Sequence, residues 1–355
     1  MSARTTVAVL FGGRSGEHEV SLRSGASVAA GLAERHDVLP VLVDKDGRWL
    51  LQEGKEARGS GGTPVFLVPA PSDSGRLRRT SDAAELARPD VYFPVLHGTF
   101  GEDGTVQGLL ELAAVPYVGS GVLASAAAMD KEAMKALFAQ AGLPQAPYRV
   151  LRGREPAEEA RVLDALGLPV FVKPANLGSS VAVSKVKRAE DLGPALDLAF
   201  SYDLKAIVEA AVDAREIEVA VLGDDRPEAS LPGEILPDRE FYDYESKYSP
   251  DSVTELVVPA RLDDGTVADL RRLAGEAFRA VGAAGYSRVD FFLERRTGRI
   301  LVNEINTTPG FTSISMFPKM WAASGLPYPD LLARLVELGR ERHARRAALR
   351  TRYGG

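Results

Sequence analysis

SRVDFFLERRTGRILVNEINTTPG, residues 287–310, carries the reading that decides the fold. Strand alternation puts Arg288 and Asp290 on one face and Val289, Phe291 and Leu293 on the other, while Glu304 and Asn306 share a face on the returning strand. A three-residue loop, Arg296-Thr297-Gly298, with Gly298 in the left-handed position, sets Asp290 opposite Glu304 and Arg288 opposite Asn306. A one-residue slip would break that pairing. Two carboxylates opposed at about 5 Å destabilise a sheet unless a cation lies between them. Oxygen donors from Asp, Glu and Asn suit Mg2+ better than zinc. The alternative is a charged, solvated face on an edge hairpin.

Phosphate handling is the natural partner of such a site. The chain has no GxxxxGK[ST] loop, but VFVKPANLGSSVAV (170–183) ends a buried strand on Lys173, which Pro174 holds extended. The turn Gly178-Ser179-Ser180 then offers N–H groups and hydroxyls to a polyphosphate, although such turns are common without a ligand. Asp130 caps a predicted helix in which Met134, Leu137, Phe138 and Ala141 form one stripe, with Met129 stapled onto Met134 and Gly142 as the stop. Lys131 falls in the first turn of that helix, where the macrodipole disfavours a cation unless an anion sits nearby. In GGRSGEHEVSL (12–22), Glu19 opens another helix and either answers the helix dipole or helps to hold a substrate. His97 follows a strand end, the usual place for functional side chains in open α/β sheets, although a lone histidine is more often structural. Gly119-x-Gly121-x-x-Ala124 matches a relaxed dinucleotide fingerprint, but its strand is broken by Pro116 and no acid follows at the expected distance.

Working outward, TTVAVLF (5–11), DVLPVLV (37–43) and DVYFPVL (90–96) read as buried strands, and the helix after Gly13 carries Val20, Ser24, Ser27, Val28 and Gly31 on one stripe. Alternating strand and helix predicts a parallel sheet. The Pro, Gly and Ser between residues 59 and 75 predict a surface excursion. Strands at 147–151, 169–173 and 181–186 and a helix at 189–200 follow. A third, antiparallel unit opens with 206–209 and 216–222 and continues through a polar, aromatic stretch (Asp238 to Asp251), a helix Asp269–Val281, the 286–305 hairpin and a final helix from about Asp330. The tail after residue 341 reads as a solvated basic helix end. The chain has 355 residues, room for two or three packing units. With 43 basic against 49 acidic residues it offers no general field for nucleic acid. Zero cysteines exclude disulfides, thiolate metal sites and thiol nucleophiles. No run approaches a membrane span, and the apolar stretch after Met1 is too short for a secretion signal, which points to the cytoplasm.

Taken in order, GGRSGEHEVSL, LHGTFGEDGTVQGLLELAAVPYVGSGV, MDKEAMK, VKPANLGSSVAV, FYDYESKYS, SRVDFF and NEINTTPGFTSISMFP resemble the D-alanine:D-alanine ligase family of ATP-grasp enzymes, from about residue 7 to 335. The resemblance implies an α/β and α+β chain in three subdomains: an N-terminal Rossmann-like unit over 1–119, a central one over 120–208, and a C-terminal one over 209–340, with ATP between the last two. It implies activation of one D-alanine as an acyl phosphate and attack by the amine of a second, in a cytoplasmic homodimer serving peptidoglycan synthesis. Asp290, Glu304 and Asn306 resemble the family's ligands for two Mg2+ ions, replaceable by Mn2+, with Glu304 bridging. Lys131 and Lys173 resemble the phosphate lysines, Ser180 part of the lid over ATP, and Glu209 and Glu216 the acids that hold adenine and ribose. Glu19, Ser179 and Tyr248 resemble a trio that orients substrate and locks one loop on another. Arg288 and the N–H of Gly310 resemble the oxyanion donors, Lys247 and Ser315 the anchors of the second carboxylate, and His97 a substrate-positioning histidine. No protein base for the attacking amine is evident.

Ala182 stands where the family usually has glycine, and Ile314 where relatives are often polar. Tyr242, Tyr244, Lys247 and Tyr248 follow the dipeptide-forming pattern, which favours D-alanine over D-lactate as second substrate and leaves D-serine open. The rival classes are another ATP-grasp carboxylate–amine ligase, a dinucleotide-dependent oxidoreductase resting on GSGVLA, and a non-catalytic amino-acid-binding protein.

Overall fold

A seven-stranded sheet opens the chain, in the order β6-β5-β4-β3-β2-β1-β7. The computed structural model describes residues 4–178, 181–236, 254–312 and 315–350, so Ser179, Ser180, Ile314 and the whole stretch from Asp238 to Asp251, with Lys247 and Tyr248, lie outside the described residues. Strands β1 (Thr6–Gly12), β2 (Asp37–Val43) and β7 (Val91–Pro94) run parallel as expected, because nearly continuous apolar runs can be buried on both faces. Helix α1 (His18–Leu32) covers them with Val20, Ser24, Val28 and Leu32 turned inward. The other four strands depart from the expected parallel sheet. β3 (Trp49–Leu51), β4 (Thr63–Leu67), β5 (Leu77–Arg79) and β6 (Glu85–Ala87) add antiparallel hairpins, so the 59–75 stretch is more than a surface excursion. Within it, TPVFL has the period of a half-buried strand and sinks Val65 and Leu67 into the core.

Helices α2 (Thr105–Leu112), α3 (Val122–Met129) and α4 (Lys131–Gln140) lead into the second sheet. The Asp130 side chain accepts from the N–H groups of Glu132 and Ala133 at 3.0 and 3.1 Å, the cap that the sequence specified. The second sheet, β10-β9-β11-β8, is antiparallel and built from β8 (Tyr148–Leu151), β9 (Val170–Pro174), β10 (Ser184–Val186) and β11 (Ala206–Ala210), with α5 (Pro156–Leu166) and α6 (Leu192–Phe200) packed on it. Residues 206–209 therefore belong here rather than opening the third unit: Ile207 pairs with both Lys173 and Val150. The change of sheet falls at 211–213, just after the expected division at 208/209.

The third sheet runs β15-β14-β12-β16-β17, with β13 (Glu228–Ala229) beside β12 (Ala214–Gly223). Its other members are β14 (Gly233–Leu236), β15 (Glu255–Val257), β16 (Gly285–Glu294) and β17 (Ile300–Asn306). Helix α7 (Asp264–Ala280) starts earlier than Asp269, because Asp263 caps it by accepting from the Thr266 N–H at 3.0 Å. Helices α8 (Met316–Ala323) and α9 (Tyr328–Ala347) close the chain. The tail does not simply point into solvent. Arg345 pairs with Asp224 and Asp225, Arg346 forks onto Glu111 at 2.8 and 2.9 Å, and Arg342 lies over the Tyr117 ring. Of the GSGVLA glycines, Gly119 has φ +102° and lies where β16 meets the N-terminal unit, 3.1 Å from the place a Cβ on Gly285 would take.

The hairpin has the expected register where it matters, Arg288 opposite Asn306 and Asp290 opposite Glu304. It arrives there differently. Glu294 and Arg299 close the turn, so the loop is 295–298, and a bulge after Asp290 leaves Asn303 without a partner and restores the pairing. Gly298 has φ +69°, the left-handed position its loop requires.

Candidate active site

Between the second and third sheets lies a cavity of about 800 Å³. One wall presents Lys131, Lys173, Gly178 and Glu209; the other presents Glu216, Arg288, Asp290, Glu304 and Asn306. The acids on the second wall form a ladder across three strands, since Asp290 pairs with Glu218 on β12 and with Glu304 on β17. Arg288 forks onto both Asp290 oxygens at 2.6 Å and stands 3.2 Å from Glu218. Burial works against its charge, but Asp290 and Glu218 hold the guanidinium pKa well above the ordinary value. Asn306 donates to Asp290 at 3.0 Å.

Two carboxylates and an amide on adjacent strands are hard donors suited to a divalent cation. Among the described residues no three His, Cys, Asp or Glu side chains form a metal cage by themselves.

On the facing wall Glu209 sits between two lysines. It accepts from Lys173 at 2.5 Å and, through its other oxygen, from Lys135, whose side chain is fully buried. Burial pushes the Glu209 carboxyl up, yet the two ammonium groups outweigh it and bring the pKa down to about 2. Lys131 donates to the Leu177 carbonyl at 2.7 Å, at the base of the loop that follows β9. In that loop Ala182 has φ +56°. A Cβ in this region costs about 1 kcal/mol, so Ala182→Gly should raise the unfolding free energy by up to that amount in a denaturant titration.

His97 is buried, with both ring nitrogens engaged. Nδ1 donates to the Thr308 carbonyl at 3.0 Å, and Nε2 accepts from Ser24 Oγ at 2.9 Å. Burial lowers its pKa. The ring thus ties the first sheet to the segment that carries Gly310 and Ser315, where Ser315 Oγ accepts from the Thr312 N–H at 3.1 Å.

The family models for the D-ala D-ala ligase N-terminus and C-terminus match residues 6–120 and 137–337. The D-alanine–D-alanine ligase of Heliobacterium modesticaldum is 49% identical over 96% of this chain and 96% of that protein. The chain belongs to the D-alanine–D-alanine ligase family. Among solved structures, the family's enzyme from Coxiella burnetii superposes with a TM-score of 0.84 at 36% identity, covering 97% of each chain. The VanG D-Ala:D-Ser ligase of Enterococcus faecalis gives 0.85 at 33%, covering 95% of this chain and 100% of that one. The architecture is the ATP-grasp fold.

Within this ligase fold the two glutamates at the start of the first helix lie on different sides. Glu19 is exposed and paired with Lys45 at 2.9 Å, away from the cavity. The acid that faces the cleft is Glu17: a Cβ on Gly178 would lie 2.7 Å from its Oε1. Two helical positions rotate a side chain by about 200°, so counting from the wrong glutamate reverses the direction it faces. Glu209 lines the cavity with each oxygen accepting from a lysine, an ion-pair setting the sequence reading did not anticipate. The sequence reading also missed Glu102, which accepts from the Gly98 N–H at 3.0 Å and lines the cavity. Burial, then Glu17, raises the Glu102 pKa well above the usual carboxylate range. Its GEDG motif was the available signal. Lys135 and Glu218 had none beyond helical or strand phase.

Proposed function

We infer that this chain joins two molecules of D-alanine into D-alanyl-D-alanine with cleavage of ATP to ADP and phosphate, through a D-alanyl phosphate. The observation that carries the reading is the cavity with phosphate-seeking Lys131 and Lys173 on one wall and the Arg288, Asp290, Glu304 and Asn306 face on the other. Lys131 and Lys173 neutralise phosphate oxygens, and Glu216 holds the ribose. Asp290, Glu304 and Asn306 are the residues that would hold Mg2+, or Mn2+ in its place, and the metal would supply neutralisation of charge on the transferring phosphoryl group. The first carboxylate takes the γ-phosphoryl group and ADP leaves. The second amine, its proton given up to solvent, attacks the acyl carbon to form the C–N bond, and the acyl C–O bond breaks as phosphate leaves. Arg288 and the Gly310 N–H meet the charge that develops on the carbonyl oxygen.

In this reading Glu17 takes the role first given to Glu19, beside Ser179 and Tyr248, and Ser180 belongs to the lid that keeps water from the acyl phosphate. Lys247 and Ser315 anchor the second carboxylate, and His97 positions substrate through the segment it ties down. The N-terminal unit ends near 119, and the central unit ends where the sheet changes at 211–213. Use of ATP supports a cytoplasmic setting, and no helix among the described residues is long and apolar enough to cross a membrane. Leu112 and Leu123 on α2 and α3 are exposed and offer one apolar surface to a homodimer.

The test is product analysis with Mg-ATP and D-alanine, L-alanine, D-serine or D-lactate. ADP, phosphate and D-alanyl-D-alanine in equal amounts are the expected result. Turnover with D-serine or D-lactate as the preferred partner would overturn the second-substrate assignment, and no turnover with any of them would overturn the catalytic reading.

A further inference from the structure

We propose that Lys135 is a positioning residue that sets the charge Lys173 presents to ATP, by taking half of Glu209. The inference rests on the ATP reading above. Glu209 and Lys173 alone would be a neutral pair, with the carboxylate drawing the ammonium group away from any phosphate. Lys135 holds the other Glu209 oxygen, so the three groups together carry one net positive charge beside the cavity. Lys173 keeps the donors that Glu209 does not use, because an ammonium group has three.

Burying an ammonium group is costly, and an apolar side chain of similar length would fill the site between α4 and β11 more cheaply. Lys135 is nevertheless fully buried, with its ammonium group over the Tyr148 ring at 5.2 Å. Its charge acts where water screens it poorly, on the carboxylate that Lys173 also binds. A residue that only fills space at this position has no need of that charge.

The probe is the non-hydrolysable β,γ-imido analogue of ATP with Mg2+, measured by calorimetry beside adenosine, which carries no phosphate. Lys135→Met should weaken analogue binding by about tenfold or more and leave adenosine unchanged. Adding Glu209→Gln to it restores the single net charge, and affinity should return close to that of the unaltered protein. If Lys135→Met does not fold, Lys135→Gln, which keeps a donor to Glu209 and removes the charge, carries the same expectation. Equal affinity in the single variant, an equal loss for adenosine, or no recovery in the double variant would each overturn the proposal while leaving the ATP reading intact. If the unaltered protein binds no analogue, the ATP reading falls and this inference with it.

Discussion

Glu304→Gln should lower dipeptide formation by about a thousandfold, the equivalent of roughly 4 kcal/mol of lost transition-state stabilisation, without lowering the thermal midpoint. The substitution keeps side-chain volume and removes one negative charge from the cavity wall. Glu304 stands directly across the hairpin from Asp290, and the two share a face. Glu304 is repelled by Asp290 but attracted by Arg288 and Lys173, so the repulsion relieved and the attraction lost offset one another and without divalent cation the glutamine variant should melt close to the parent. A residue kept for structure gives the opposite pattern, with lower stability and activity falling only in proportion. Initial rates at saturating Mg-ATP and D-alanine, with a melting curve in chelator, separate the two. Retained turnover, or a midpoint several degrees lower, would remove Glu304 from the candidate metal ligands.

What could be read from the sequence followed local physical rules. Period-two alternation and the Gly298 turn were enough to set Arg288 against Asn306 and Asp290 against Glu304, although the expected loop was one residue too short and the bulge at Asn303 compensated. Asp130 was legible because a cap acts within one helical turn. Strand β4 was hidden because its alternation is brief and set among glycines and prolines. The acid at the cleft was misplaced by two residues because GGRSGEHE fixes neither where the helix starts nor which glutamate turns inward. The commitment of Glu209 to Lys135 could not be read at all, since 74 residues separate the partners and only the tertiary fold brings α4 beside β11. Motif order located the site, and tertiary packing decided which charges meet in it.

Arg288→Met should lower dipeptide formation by about a hundredfold to a thousandfold, the cost of losing an oxyanion donor, and should make stability depend on Mg2+. Arg288 is the guanidinium against which Asp290 and the buried Glu218 are paired, and both stand in the ladder with Glu304. Taking away one partner of such a buried network costs about 3–5 kcal/mol, because carboxylates are left without their arginine. In the unaltered protein the Asp290 oxygens already accept from the guanidinium, so a divalent cation at Asp290 competes with it for the carboxylate. In the variant the guanidinium no longer competes, and binding of the ion offsets repulsion along the ladder. Millimolar Mg2+ without nucleotide should therefore raise the thermal midpoint of Arg288→Met by more than it raises that of the parent. Arg288→Lys should not recover the activity, because one ammonium group cannot reproduce two parallel bonds to Asp290. Turnover retained in the methionine variant would overturn the oxyanion role. Equal Mg2+ shifts in the two proteins would instead show that ion and arginine do not share Asp290.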